Sequence, residues 1–334
     1  MLSGSLAFAN SAVIFMYHRF GEASYPSTNI KTSQFQQQIE YLVDSGFEFW
    51  SLKKIADYQK QGKSFPSRVV GISIDDAYLS VYQIAFPYLR QKNIPFTVFV
   101  STEYIDKHFK NYMSWVQLKE LVKQGVNIGS HSSSHAHLIR TSAEKNNWHK
   151  QVTEDIQRGQ QRIEDELGVR PTLFAYPYGE FSLELAALVE ELGLVGFGQQ
   201  SGAIGKSSDP RFLPRFPISE NYSDMSAFID KANSLAMPLL SIEPKEPVWQ
   251  KSELPTLKLT VDGDLVDATK IRCFASYLGA INVQSEKGSN ELLISGTGPI
   301  HQRRFRYNCT VKSGMENRFY WYSQLWIQPK YPEN

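Results

Sequence analysis

Two histidines stand four residues apart in Gly129-Ser130-His131-Ser132-Ser133-Ser134-His135, just after the apolar Val126 and Ile128. On the first turn of a helix, positions i and i+4 project the same way, so both imidazoles could reach one ion. A zinc-type centre that performs chemistry takes about three protein ligands and keeps one position open. The best source of a third ligand is Asp75-Asp76, which ends the strand-like run Arg68-Val69-Val70-Gly71-Ile72-Ser73-Ile74. Two adjacent carboxylates allow a division of labour, one binding metal and the other handling protons. Alone, a histidine pair is surface decoration and an Asp pair is a turn or helix cap. Both together, each at the end of an apolar strand, favour a site.

At these residues the chain resembles the polysaccharide deacetylases, carbohydrate esterase family 4. Ser73-Ile74-Asp75-Asp76-Ala77 is similar to their first motif, Thr-Phe-Asp-Asp-Gly, and His131-Ser132-Ser133-Ser134-His135 to their second, His-(Ser/Thr)-x-x-His. Phe174-Ala175-Tyr176-Pro177-Tyr178-Gly179 looks like their third, Arg-x-Pro-Tyr-Gly, and the resemblance runs over about residues 12 to 220. It implies Asp76, His131 and His135 as ligands of Zn²⁺ or another divalent metal, with Asp75 as general base. A set of one carboxylate and two imidazoles also suits zinc on chemical grounds. The Tyr176-Pro177-Tyr178-Gly179 turn is expected to meet the substrate and to aim the Tyr178 backbone N–H at the oxyanion.

The sequence departs from the family in three places. Ala77 stands where the first motif has Gly. Ala175 stands where the third-motif Arg normally orients the base, and Arg215 in Leu213-Pro214-Arg215-Phe216-Pro217 is the expected replacement. No late Leu-x-His motif follows residue 137 to supply a general acid. Met16-Tyr17-His18 instead resembles an N-terminal segment of the circularly permuted poly-N-acetylglucosamine deacetylase-like subgroup, so His18 is the candidate acid. Its ordinary reading is a buried His bonded to backbone. His137 and His149 read as surface residues, with His137 within reach of a substrate.

The elements that must position these residues alternate. Strand-like runs at 13–16, 47–50, 68–74, 96–100, 126–130, 172–175, 194–197 and 212–216 are separated by helical patterns at 35–43, 52–59, 81–92, 115–124, 144–167 and 183–192. About seven such alternations make parallel βα units, and their length suits an α/β fold, a (β/α) barrel, complete or distorted. Every residue singled out falls at the C-terminal end of a strand, the rim where such barrels collect catalytic groups. Near Leu239 the character changes. Pro238, Pro244, Pro247 and Pro255 mark a linker, and short alternating runs follow, with Asp262-Gly263 as a hairpin-type turn and Tyr320-Trp321-Tyr322 near the end. They predict an antiparallel β-sandwich. The expected organisation is a signal-peptide remnant at 1–12, a barrel at 13–237, a linker at 238–255 and an accessory sandwich at 256–334. The sandwich is either a carbohydrate-binding module using Trp321 or a structural cap.

The 334 residues carry 35 basic and 34 acidic side chains, net +1, which argues against a nucleic-acid binder that depends on a basic face. No run is long enough for a membrane-spanning helix. The N-terminus lacks a basic start, yet Ala7-Phe8-Ala9 resembles a cleavage site, so a periplasmic or secreted protein is expected, against a frayed cytosolic terminus. Cys273 and Cys309 either pair in an oxidising compartment or remain buried thiols. The first functional expectation is removal of N-acetyl groups from a GlcNAc-containing polysaccharide. The alternatives are an O-acetyl esterase on a polysaccharide, and a non-catalytic binding or export protein with a degenerate site, which the missing motif Arg would favour. A glycoside hydrolase is disfavoured, because adjacent carboxylates cannot flank a glycosidic bond.

Overall fold

Residues 10–139, 145–315 and 317–332 are described in the computed structural model, so most of the expected signal remnant, 1–9, lies outside the described residues. Seven strands form a curled, all-parallel sheet: β1 (Ala12–Tyr17), β2 (Val69–Ile74), β3 (Thr97–Val100), β4 (Asn127–Ser130), β5 (Leu173–Ala175), β6 (Val195–Phe197) and β7 (Phe216–Pro217). Their spatial order is β7-β1-β2-β3-β4-β5-β6. A parallel bridge from Phe197 to Leu213 joins the far edge to the segment carrying β7. The sheet thus curls back on itself as a distorted (β/α) barrel. Its seam is thin for a chemical reason: Pro214 and Pro217 have no amide to donate, so the strand expected over 212–216 shrinks to two residues. A short strand, Glu48–Phe49, pairs beside β2. Every residue of β1 and β2 is buried, as expected for parallel strands covered on both faces.

The connecting helices are α1 (Thr32–Asp44), α2 (Leu52–Lys60), α3 (Phe86–Gln91), α4 (Thr102–Asp106), α5 (Trp115–Lys123), α6 (Lys145–Leu167), α7 (Leu183–Glu191) and α8 (Met225–Ala232). The helix expected over 81–92 is split: Val81–Ala85 is a wide π turn, and α3 begins beyond it with Pro87 in its first turn, where a missing amide is tolerated. Residues 131–135 are a loop, not the helical first turn expected there.

The second unit is a sheet of eight strands: β8 (Leu235–Ala236), β9 (Leu239–Glu243), β10 (Thr256–Val261), β11 (Arg272–Ala275), β12 (Gly279–Gln284), β13 (Glu291–Ser295), β14 (Arg304–Lys312) and β15 (Phe319–Ile327). The order is β8-β15-β14-β11-β12-β13-β10-β9, antiparallel throughout except for the β8–β15 pair. Leu257, Leu259 and Ile294 share one core with Tyr307, Cys309 and Trp326, which makes the unit sandwich-like. The stretch expected as a linker contains β9, whose polar-apolar alternation finds a partner in β10. Asp262-Gly263 is not a hairpin, because β10 pairs with β9 and β13 and the chain beyond it crosses to β11. Cys273 and Cys309 sit opposite each other on β11 and β14 and form a disulfide. Trp321 packs edge-on against Phe216 at 5.1 Å, so its ring serves the joint with the barrel. Among the described residues, no helix is long and apolar enough to cross a membrane.

Candidate active site

Asp75 follows the last residue of β2, and its N–H is held by the Tyr17 carbonyl at 2.9 Å. Its carboxylate has no solvent exposure and accepts two hydrogen bonds from Arg215, Nη1 to Oδ1 at 2.7 Å and Nη2 to Oδ2 at 2.8 Å. Arg215 is itself aimed by its remaining donors, to the Gly198 carbonyl at 2.9 Å and Ser73 Oγ at 3.2 Å. Burial pushes the Asp75 carboxyl up, but the charges of Arg215 and His131 outweigh it and hold the group below the usual range. The seam residue Arg215 therefore reaches the Asp75 carboxylate from a different segment than the strand that carries Ala175.

The next two residues turn the backbone sharply. Asp76 has φ +73° and Ala77 φ +56°, both in the left-handed region. This turn sends Asp76 away from Arg215 and toward the histidines. Its Oδ1 lies 3.4 Å from His131 Nε2 and 3.3 Å from His135 Nε2. One ligand atom from each of Asp76, His131 and His135 lies within 4.8 Å of the others, close enough to hold a divalent metal ion. The family's motif has Gly where Ala77 bends backward, so the substitution is accommodated at some cost in strain.

His131 leaves β4 with its N–H on the Val100 carbonyl at 2.9 Å. Its Nδ1 lies 2.7 Å from the Ala175 carbonyl, so Nδ1 carries the proton and Nε2 offers a lone pair toward Asp76. Ser132 (φ +64°) and His135 (φ +55°) are also left-handed, and the His135 N–H is held by Ser132 Oγ at 2.9 Å. The two rings thus converge through a tight loop. The loop is pinned from outside: Ser101 Oγ donates to the His131 carbonyl at 2.9 Å, the Glu103 N–H to the Ser133 carbonyl at 3.0 Å, and the Ser134 N–H to Asp155 Oδ1 at 3.2 Å. Gly159 on α6 lets the loop press close, since a Cβ there would stand 2.9 Å from the Ser132 carbonyl carbon. A glycine inside a helical pattern was the signal that could have found it.

His18 follows β1 and is half-buried. Its Nδ1 is fully buried and has no hydrogen-bond partner among the described residues. Burial lowers its pKa, while Asp76 and Asp75 draw it upward. Tyr178 adopts φ +59°; its ring stacks on His137 at 4.0 Å and meets His135 edge-on at 4.6 Å. His137, expected on the surface, is partly buried and its Nδ1 bonds Glu180 Oε2 at 2.9 Å. Two expected substrate contacts are corrected. The Tyr176 ring is wholly buried, with its hydroxyl donated to the Arg211 carbonyl at 2.6 Å, and Pro177 is buried too. Both build the turn from below, because the apolar ring packs with Phe174 and Phe181. Glu180, Arg303 and Arg304 carried no sequence signal.

Residues 62–197 match a family model described as polysaccharide deacetylase. A Staphylococcus aureus protein described as poly-beta-1,6-N-acetyl-D-glucosamine N-deacetylase is 28% identical over 237 residues, covering 64% of this chain and 80% of that protein. A Staphylococcus epidermidis protein of the same description is 27% identical over 233 residues, with the same coverage of 64% and 80%. Among solved structures, IcaB from Ammonifex degensii is similar with TM-score 0.57 and 27% identity, over 65% of this chain and 96% of that one. The Streptococcus pyogenes deacetylase PplD in complex with acetate shares the fold at TM-score 0.57 and 20% identity, over 64% and 94%.

Proposed function

We propose that this chain, whose residues 62–197 match the polysaccharide deacetylase model, is a member of that family and hydrolyses N-acetyl groups from a GlcNAc-containing polysaccharide, outside the cytoplasm and with zinc. The observation that carries the reading is a three-donor cluster, Asp76, His131 and His135, beside a carboxylate, Asp75, that an arginine keeps ionised. The staphylococcal relatives support the polymer class by their description. The donor set fits zinc: two imidazole nitrogens and a carboxylate oxygen converge, and the Ala175 carbonyl fixes the tautomer of His131. When bound, such an ion supplies Lewis acidity that acidifies water and polarises the acetyl carbonyl. The Cys273–Cys309 disulfide supports an oxidising compartment.

The chain's own residues divide the remaining work. Asp75 takes the proton of the attacking water. It is ionised at neutral pH because Arg215 holds both of its oxygens. The Tyr178 backbone N–H, in the left-handed Pro177–Gly179 turn, is the donor to the developing oxyanion. His18 gives a proton to the leaving nitrogen. Burial lowers its pKa, and the charges of Asp76 and Asp75 oppose that and favour the protonated ring the step requires.

The test is acetate release from GlcNAc oligomers by the purified chain, as isolated, after chelation and after adding back Zn²⁺. Release that is lost with chelator and restored by zinc is expected. Release from acetylated xylan and none from GlcNAc oligomers would replace the N-acetyl reading with an O-acetyl esterase.

A further inference from the structure

Glu180, directly after the Tyr178 turn, is buried at 1% exposure, and its bonding partners come largely from the other unit of the molecule. Arg303 donates Nε to Oε1 at 2.6 Å and Nη2 to Oε2 at 2.9 Å. Arg304, the first residue of β14, donates Nη1 to Oε1 at 2.9 Å, and its guanidinium carbon lies 5.5 Å from the Tyr178 ring centre. Arg303 is anchored in turn by the Pro329 and Tyr331 carbonyls at 2.8 and 3.2 Å. On the barrel side, His137 bonds Glu180 and stacks on Tyr178, and Tyr178 touches His135. An unbroken run of contacts therefore leads from the C-terminal sheet to the turn at the candidate oxyanion site and to one metal-ligand candidate. The Tyr178 turn has a left-handed centre (φ +59°) and needs external support to keep that shape.

We propose that the C-terminal sheet is a working part of the active site: Arg303 and Arg304, acting through Glu180, are positioning residues that hold the Tyr178 turn in its productive geometry. The proposal rests on the deacetylase reading for its effect on rate, but the clamp is a structural statement that can be tested separately. The two arginines come from a unit with its own core, so the barrel's rim is finished by a neighbour as well as by its own loops.

The experiment uses the full chain with Glu180→Gln and Arg304→Gln, the second being the milder because Arg304 is 26% exposed. Two readouts are taken: hydrogen–deuterium exchange of the peptide over 176–182, and kcat and KM for acetate release at equal zinc content. The expected result is faster exchange in that peptide and a kcat lower by about ten- to a hundredfold, with KM nearly unchanged, as for a donor displaced by a fraction of an ångström. Folded variants with wild-type exchange and wild-type kcat would overturn the proposal. Faster exchange in the variants of a chain that releases no acetate even as wild type would uphold the clamp and sink the deacetylase reading instead.

Discussion

Two buried carboxylates in this molecule are each gripped by a bidentate arginine, and they differ in what is left over. A carboxylate offers about four acceptor positions. Glu180 uses all of them, on Arg303 twice, Arg304 and His137. Asp75 gives two to Arg215, and no further bond to its oxygens is found among the described residues. Both groups are held ionised, Asp75 chiefly by Arg215 and Glu180 by His137 and Arg303. The saturated one can only brace, whereas the unsaturated one can still take a proton. The spare lone pairs of a buried ion pair, not its strength, decide whether its carboxylate has room to accept a proton.

The comparison is broken most directly at Asp75. Asp75→Asn keeps the shape and removes the acceptor, so kcat for acetate release should fall about 10²- to 10⁴-fold with zinc content intact. A near-normal rate would place Asp75 with Glu180 among the braces. Arg215→Met leaves a buried carboxylate without its cation, which costs about 3–5 kcal/mol of unfolding free energy in a urea titration. An unchanged midpoint would mean that Asp75 is charged only when a metal is bound. Acid sharpens the difference at Glu180, whose pKa is lowered from 4.5 to about 2: burial opposes its charge, but His137 and Arg303 prevail. A folded-state pKa below the unfolded one stabilises fully above the unfolded value and fades as pH falls through the folded one. Stability should therefore drop between pH 4.5 and about 2, by about 3 kcal/mol at most. Urea midpoints across that range should lose this portion in Glu180→Gln; an identical pH profile in the variant would show that the brace adds nothing. The smallest effect is at the turn that separates Asp75 from Asp76. Ala77→Gly relieves a left-handed alanine (φ +56°) and should raise stability by about 1 kcal/mol in a thermal melt. A lower melting temperature would mean that the buried methyl matters more than the strain.

Much of the candidate site's rim is legible in the sequence. Apolar runs such as Val69–Ile74 can only be buried strands, and a polar pair directly after one must emerge at a strand end. Asp75-Asp76 and His131 do stand directly after strand ends. That reasoning misjudged how the histidines meet, because helical spacing is one route to convergence and a loop with two left-handed residues is another. Tyr176 was misplaced for a related reason: a tyrosine in a motif gives no sign of whether its ring faces solvent or core. The missing motif arginine had been the best argument for a degenerate site. Arg215 removes most of its force, since the same charge reaches the same carboxylate from the seam of the barrel.

By itself the sequence determined the chemistry available: which residues can bind a metal, which can carry protons, and that strand ends hold them, since local hydrophobic pattern dictates each strand. Only the tertiary structure decided who meets whom. Arg215 finds Asp75 across 140 residues because the sheet curls until its last strand lies against its first. Arg303 finds Glu180 across 123 residues because a second core docks against the rim. Both contacts depend on how packed layers close on each other, and no local pattern along the chain encodes that closure.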